Sequence, residues 1–83
     1  MPVEISESDV PKYQQLADIM RRRILSGEIQ PRHPLPSKKQ VVGEFGVAPN
    51  TWDRAVQVLR DEGLVHTVMG LGIYVRPRED WPA

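Results

Sequence analysis

The side chains best suited to chemistry in this sequence are cations and amides that lie at two predicted helix starts. Lys38 and Lys39 follow Ser37 at the first start, and Asn50 precedes Arg54 by four residues at the second. Lysine side chains and the free amides of a helix N-terminus both bind phosphate oxygens. Asparagine and arginine pair with the edges of adenine and guanine through two hydrogen bonds each. The spacing therefore predicts contact with a nucleic acid rather than catalysis.

Three neighbouring polar residues are further candidates for such contacts. Ser37 is expected mainly to cap a helix, because Gln40 three residues later completes a capping box, although one hydroxyl can also bind a ligand. Thr51 can reach a phosphate or a thymine methyl group, or it can serve only the start of its helix. Gln57 lies one helical turn beyond Arg54 and is a more distant candidate.

The main candidates also have structural alternatives that the sequence leaves open. Lys38 and Lys39 can simply form a solvated first turn of a helix. Arg54 can instead form an ion pair with Asp61 on its own helix or with Glu44 on the helix before it.

The charge of the chain is unevenly distributed. The net charge is zero, from 11 basic and 11 acidic residues, but residues 12–39 carry seven basic residues against two acidic ones. A basic segment of this kind can form a face that binds a polyanion. Alternatively, the run Arg21-Arg22-Arg23 only solvates the outer face of a helix.

Length and composition exclude several other classes of protein. The 83 residues predict one small domain, and the absence of cysteine excludes disulfides and thiolate metal sites. His33 and His66 have no neighbouring ligand set, and no nucleophile with a pocket is evident, so we expect no metal, no cofactor and no enzymatic activity. No apolar run approaches the roughly 20 residues of a membrane span. The acidic N-terminus lacks an export signal, which predicts a cytoplasmic protein.

A first helix is predicted from periodicity and from its boundary residues. Ser8 or Asp9 is expected to cap it, Pro11 is compatible with its first turn, and Gly27 is expected to end it. Its inward-facing residues are predicted to be Tyr13, Leu16, Ala17, Met20 and Ile24.

Two further helices follow a proline-rich connection over residues 30–36, which is expected to be ordered but cannot be helical. The second helix runs from the capping box at Ser37 to Gly46. The third covers residues 49–62, with Pro49 at its first position. Its inward face is predicted to be Trp52, Ala55, Val56 and Leu59, which places the tryptophan in the core rather than in a stacking role.

Two β-prone runs, 64–68 and 73–75, enclose the glycines of Gly70-Leu71-Gly72 and predict a hairpin. The chain is therefore expected to be mainly α with a small β-hairpin. This order is typical of a winged helix-turn-helix, with three helices and a two-stranded wing. The expected organisation is a flexible N-terminal lead-in over 1–8, the winged helix-turn-helix domain over 9–76 and a C-terminal tail over 77–83.

From residue 12 to residue 75 the sequence resembles the N-terminal DNA-binding domain of GntR-family transcription regulators. The resemblance rests on many short motifs in the usual order and at the usual spacing, each of them unspecific alone. They are Lys12-Tyr13-Gln14-Gln15, Ser26-Gly27-Glu28, Leu35-Pro36-Ser37, Phe45-Gly46-Val47, Asn50-Thr51, Ala55-Val56-Gln57-Val58-Leu59, Glu62-Gly63-Leu64 and Gly70-x-Gly72.

The resemblance implies a bacterial regulator, in most cases a repressor, that binds double-stranded operator DNA. Helix 49–62 would enter the major groove, and the hairpin 68–73 would be the wing. Family members generally bind two-fold symmetric sites as homodimers and carry a C-terminal effector domain, which we expect to be absent from this chain. The chain is then either a DNA-binding fragment or a stand-alone regulator. The residues expected to contact DNA are Ser37, Lys38, Lys39, Asn50, Thr51, Arg54, Gln57 and Gly70.

Several residues depart from the pattern of the family. Ala48 and Pro49 stand where a serine or threonine and an arginine are usual, and Asp53 replaces a common arginine. In the wing, basic or amide residues often flank the first glycine. Here the flanking residues are Val68, Met69 and Leu71. Because arginine is the commonest reader of guanine, the usual set of DNA contacts is reduced.

The apolar wing tip, Met69 and Leu71, supports a second hypothesis. Its side chains can enter a minor groove, contact a partner protein or pack on a missing domain. The alternative function is therefore a winged-helix protein-interaction module that uses this tip and has weak or no affinity for DNA.

Overall fold

Three helices followed by a two-stranded antiparallel sheet make up the fold, which confirms the architecture predicted from the sequence. The computed structural model describes residues 9–81, so the predicted lead-in over 1–8 lies outside the described residues, as do residues 82–83 of the predicted tail. The elements are α1 (Lys12–Leu25), α2 (Lys38–Phe45), α3 (Pro49–Asp61), β1 (Val65–Val68), β2 (Gly72–Val75) and a short 3-10 turn (Arg78–Asp80).

The start of α1 differs from the prediction. Pro11 is itself the N-cap, with an extended ψ of 146°, and within residues 9–81 no side-chain cap hydrogen bond is made at this helix start. The carbonyl oxygen of Pro11 accepts the amides of Gln14 and Gln15 at 3.0 and 3.1 Å. The prediction that Asp9 caps the helix is therefore wrong, and Ser8 lies outside the described residues. At the other end, Gly27 follows the helix with a φ of +89°, as predicted.

The core lies where α1 packs across α3, and the hairpin and the proline-rich connection close it. Trp52 is only 4% exposed, which confirms that it is a core residue. Ile19 is also buried, although the helical pattern did not predict it. The buried residues are Leu16, Ala17, Ile19, Met20, Ile24, Leu35, Val41, Phe45, Val47, Trp52, Ala55, Val56, Leu59, Leu64, Val65 and Val75.

The proline-rich connection is ordered because it runs along the outer edge of β2. The amide of Leu35 donates to the carbonyl of Ile73 at 2.9 Å, and the amide of Val75 donates to the carbonyl of His33 at 2.9 Å. The side chain of Leu35 is buried. The segment that leads into α2 is therefore fixed directly to the second strand of the wing.

The hairpin pairs Val65 with Val75 and Val68 with Gly72. Its tip needs two positive backbone angles, +81° at Gly70 and +124° at Gly72, which glycine adopts without strain. Each strand differs from the prediction by one residue at one end, and the predicted wing is otherwise confirmed.

After the wing, the chain turns back onto the domain. The indole Nε1 of Trp81 donates to the carbonyl of Arg76 at 2.8 Å, and the ring packs against the core. The guanidinium of Arg78 lies 5.1 Å from the centre of this ring. Across residues 9–81, every helix is too short or too polar to cross a membrane.

Candidate nucleic-acid interface

The start of α2 is held in place by the predicted capping box. The hydroxyl of Ser37 accepts the amide of Gln40 at 3.1 Å, and the amide of Ser37 donates to Oε1 of Gln40 at 2.9 Å. Because this hydroxyl accepts one backbone amide, the main role of Ser37 is that of a cap. The first turn of α2 is thereby fixed with its lysines in solvent.

The two lysines of this turn are in different electrostatic surroundings. Lys38 forms an ion pair with Asp53 of α3, with its Nζ 3.0 Å from Oδ1 and 3.2 Å from Oδ2. Lys39 is exposed and has no ion-pair partner within residues 9–81. The charge of Lys38 is therefore opposed inside the protein, whereas the charge of Lys39 is available to a ligand.

The start of α3 follows a sharp turn that the sequence predicted. Gly46 ends α2 in the left-handed conformation, with a φ of 68°, and Pro49 occupies the first turn of α3. Ala48 is the N-cap and supplies no side-chain hydrogen bond. Asn50 is exposed and Thr51 is half-buried. Pro49 has no amide proton, and the amide of Thr51 donates to the carbonyl of Ala48 at 3.0 Å. What this start presents to a base edge is therefore the exposed side chain of Asn50.

Arg54 is exposed on α3, and its guanidinium lies 4.6 Å from the centre of the Tyr13 ring in α1. This stacking limits the conformations of the arginine. Within residues 9–81, no carboxylate pairs with its charge. The alternative ion pairs are wrong, because Asp61 accepts from Gln57 and Glu44 pairs with Arg23. Tyr13, which the sequence assigned only to the core, is therefore the residue that orients Arg54.

Gln57 belongs to a polar network that ties α3 to the wing. Its Nε2 donates to Asp61 at 2.8 Å, and its Oε1 accepts from Arg60 at 2.9 Å. Arg60 also donates to the hydroxyl of Thr67 in β1 at 2.9 Å. The amide of Gln57 is thus already engaged within the protein.

Arg21 and Arg23 of α1 are bound within the fold. Nε and Nη2 of Arg21 donate to the two carboxylate oxygens of Glu62 at 2.8 and 2.6 Å, and Nη1 donates to Asp18. Arg23 pairs with Glu44 at 3.3 Å and with Glu28 at 3.4 Å. For Arg21 and Arg23, the interpretation as a solvated outer face is therefore wrong, and carboxylates of the chain already engage both charges.

The contacts of Arg21 shift the pKa of Asp18 and of Arg21 itself. The hydrogen bond from Arg21 holds the pKa of Asp18 below its ordinary value, against a smaller opposite effect of burial. The hydrogen bond to Glu62 raises the pKa of Arg21, which is charged at any physiological pH.

Between α3 and the wing lies a groove of about 670 Å³, which is lined by Trp52, Val56, Leu71 and Ile73 among others. Lys38 and Asp53 also line it. At the wing tip, Met69 is 95% exposed and Leu71 is 70% exposed. Gly70 lies between them at the turn, where its backbone can approach a ligand closely. The helix starts, the groove and the wing therefore surround one concave surface.

The comparisons with known proteins agree with this geometry. The sequence pattern of "Bacterial regulatory proteins, gntR family" matches residues 12–75. The chain belongs to the GntR family. It is 35% identical over 69 residues to the HTH-type transcriptional repressor NagR of Bacillus subtilis (strain 168), an alignment that covers 83% of this chain and 28% of NagR. The chain thus spans less than a third of the length of such curated relatives.

Solved GntR-type structures have the same fold. YtrA from Sulfolobus acidocaldarius, a GntR-family transcription factor, superposes with a TM-score of 0.81 and 32% identity, covering 92% of this chain and 81% of YtrA. AraR(DBD) in complex with operator ORR3 superposes with a TM-score of 0.76 and 33% identity, covering 84% of each chain. The fold class inferred from the GntR resemblance is confirmed.

Proposed function

We propose that this chain is the DNA-binding domain of a transcription repressor that binds double-stranded operator DNA. Helix α3 would lie in the major groove, and the hairpin 68–73 would lie beside it as the wing. The observation that carries the proposal is the exposure of Lys39, Asn50 and Arg54 at two adjacent helix starts of a fold similar to that of an operator-bound domain.

Each predicted contact has a chemical role in this proposal. Lys39, Lys38 and the amides at the start of α2 bind phosphate oxygens, and the hydroxyl of Ser37 can add a hydrogen bond. Asn50 pairs with adenine and Arg54 with guanine. The remaining predicted contacts are Thr51 to a phosphate or a thymine methyl, Gln57 at the end of the interface and the backbone of Gly70 in the wing.

The proposal extends to assembly and location. Two copies would bind the halves of a two-fold symmetric operator, because one half-site offers few contacts. The regulator would act in the cytoplasm of a bacterium. The relatives are transcription regulators and not enzymes, so we propose a binding function without catalysis.

A binding experiment over a range of salt concentrations tests the proposal. The protein is mixed with a pool of random-sequence duplexes, the retained fraction is sequenced, and affinity is measured between 50 and 200 mM salt. Operator binding predicts an enriched motif and a log affinity that falls linearly with log salt, because bound phosphates release counterions. Retention of no sequence at low salt would contradict the proposal.

The apolar wing tip favours one other candidate function. Met69 and Leu71 are exposed in a way that suits a partner protein as well as a minor groove. A protein-interaction module would show no retained DNA and a partner affinity that changes little with salt. The family membership of the chain makes this alternative the less well supported of the two.

A further inference from the structure

We infer that Asp53 is a specificity-determining residue that selects cytosine in the operator, with Lys38 as the residue that makes its charge tolerable near DNA. The inference rests on the proposed function, since it concerns how α3 reads the major groove. It assigns a role in base recognition to Asp53, the acidic residue that stands where the family commonly has an arginine.

The position of Asp53 on α3 suits a base-reading residue. It lies three residues after Asn50 and four before Gln57, so the three share one exposed face of the helix. Its side chain is 58% exposed, and it lines the groove between α3 and the wing. The neighbours Trp52 and Val56 are buried and fix this face outward.

A lone carboxylate here would be repelled by the phosphates on both sides of the groove. Lys38 removes most of this repulsion, because its Nζ lies 3.0 Å and 3.2 Å from the two carboxylate oxygens. Together the two side chains carry no net charge. An ionised carboxylate accepts about four hydrogen bonds, so the lysine leaves acceptor positions free for a base.

The ion pair is poorly explained as a device for stability alone. Both side chains are at least half exposed, and such surface pairs contribute little to the free energy of unfolding. Their location at the interface, with Lys38 in the first turn of α2, indicates a role in binding.

The chemistry of the major groove determines which base a carboxylate accepts. Cytosine presents an N4 amino donor, whereas guanine presents two acceptors and thymine one acceptor and a methyl group. Adenine has an N6 donor, but its adjacent N7 acceptor repels a carboxylate. An acceptor-only side chain therefore favours cytosine over the three other bases.

Selection from random-sequence duplexes with the full chain tests this inference. The wild type is compared with Asp53→Asn, Asp53→Ala and, as a matched control, Asp80→Asn, which removes the same charge from an exposed residue in the 3-10 turn after the wing. Thermal unfolding of each variant confirms that it folds. The wild type is expected to prefer cytosine at one position of each half-site by about 5-fold, the lower end of what a paired base contact supplies, because cytosine offers one amino group to the carboxylate.

Each substitution has its own expected result at that position. Asp53→Asn should shift the preference to adenine, because an amide both donates and accepts. Asp53→Ala should remove the preference. Asp80→Asn should leave the motif unchanged. Asp53→Asn should also bind random DNA more tightly, because a negative charge is lost from the interface.

Two different failures can be distinguished. An enriched wild-type motif that all three variants reproduce unchanged would overturn the inference about Asp53 and leave the proposed function standing. Failure of the wild type to enrich or retain any duplex would overturn the proposed function itself. Equal changes of base preference in the Asp53 and Asp80 variants would show that only charge is responsible, and would overturn the base-reading role.

Discussion

The molecule has two basic regions that look alike in sequence and differ in how far carboxylates of the fold engage their charges. The arginine cluster, Arg21 and Arg23, lies on α1, and the lysine pair, Lys38 and Lys39, lies at the start of α2. The guanidinium groups of the arginine cluster form ion pairs with carboxylates from the same helix and from other parts of the chain. Only one member of the lysine pair has a carboxylate partner within residues 9–81.

The difference shows why a count of charges does not locate a binding surface. Residues 12–39 have an excess of basic residues, but the arginine cluster uses its charge to join α1 to α2 and α3. What remains for a polyanion is the lysine pair, together with the helix amides and the stacked Arg54. The following predictions test this division, from the largest expected effect to the smallest.

Arg54→Ala tests whether an arginine outside the cluster is available to DNA. We expect it to weaken binding to the preferred site by about 1–3 kcal/mol and to relax base choice at one position, because a paired contact with guanine is lost. The affinities of the wild type and the variant are measured on the preferred duplex and on a random duplex, and the two losses are compared. Equal losses on both would assign Arg54 to the DNA backbone instead.

Arg21→Ala tests the structural role of the arginine cluster. The substitution removes three hydrogen bonds to Glu62 and Asp18 from a partly buried side chain. We expect a loss of about 1–2 kcal/mol in unfolding free energy, between the values for surface and buried pairs, and a melting temperature lower by roughly 5–10 °C. Thermal unfolding measures this. An unchanged melting temperature with a shallower salt dependence of DNA binding would contradict it.

Lys39→Ala and Lys38→Ala test whether the two lysines contribute differently to the salt dependence of DNA binding. Lys39→Ala should reduce the slope of log affinity against log salt by about one unit on every sequence, because one phosphate contact is lost. Lys38→Ala should reduce the slope by less, since Asp53 opposes its charge. Neither should change stability by more than about 0.5 kcal/mol. If the two slopes fell equally, the ion pair would not persist on DNA.

The smallest expected effect is the pH dependence of stability that Asp18 contributes. The pKa of Asp18 is lowered in the folded protein from its ordinary value of 3.8, chiefly by Arg21. The contribution of Asp18 to the free energy of unfolding is therefore complete above its ordinary pKa. It is lost as the pH falls through the lower pKa of the folded protein. Asp18→Asn should make the fall in melting temperature between pH 5 and pH 2 slightly shallower. A steeper fall in the variant would contradict this prediction, because it would mean that the ionised carboxylate of Asp18 destabilises the fold.

The boundaries of the elements could be predicted because they depend on local chemistry. Each of these signals depends on only a few neighbouring residues: the capping box at Ser37, the left-handed Gly46 and Pro49 at the start of α3. The start of α1 was missed because two candidate caps precede Pro11, and the proline itself takes the N-cap.

The electrostatics of the site could be predicted only in part. The candidate cations and amides are visible in the sequence, but their partners are not. Arg21 and Glu62 are 41 residues apart, and Lys38 and Asp53 are 15 apart, so only the packing of the helices brings them together. Tyr13 carried the pattern of a core residue, and nothing local links it to Arg54.

Backbone amide chemical shifts, followed while an operator-like duplex is added at low ionic strength, test the central claim most directly. If the lysine pair and the start of α3 form the interface, the amides of residues 37–39 and those of Asn50 and Thr51 should shift, and those of residues 21–23 should not. Shifts concentrated at the arginines of α1, with the two helix starts unchanged, would contradict the division of charge on which this interface depends.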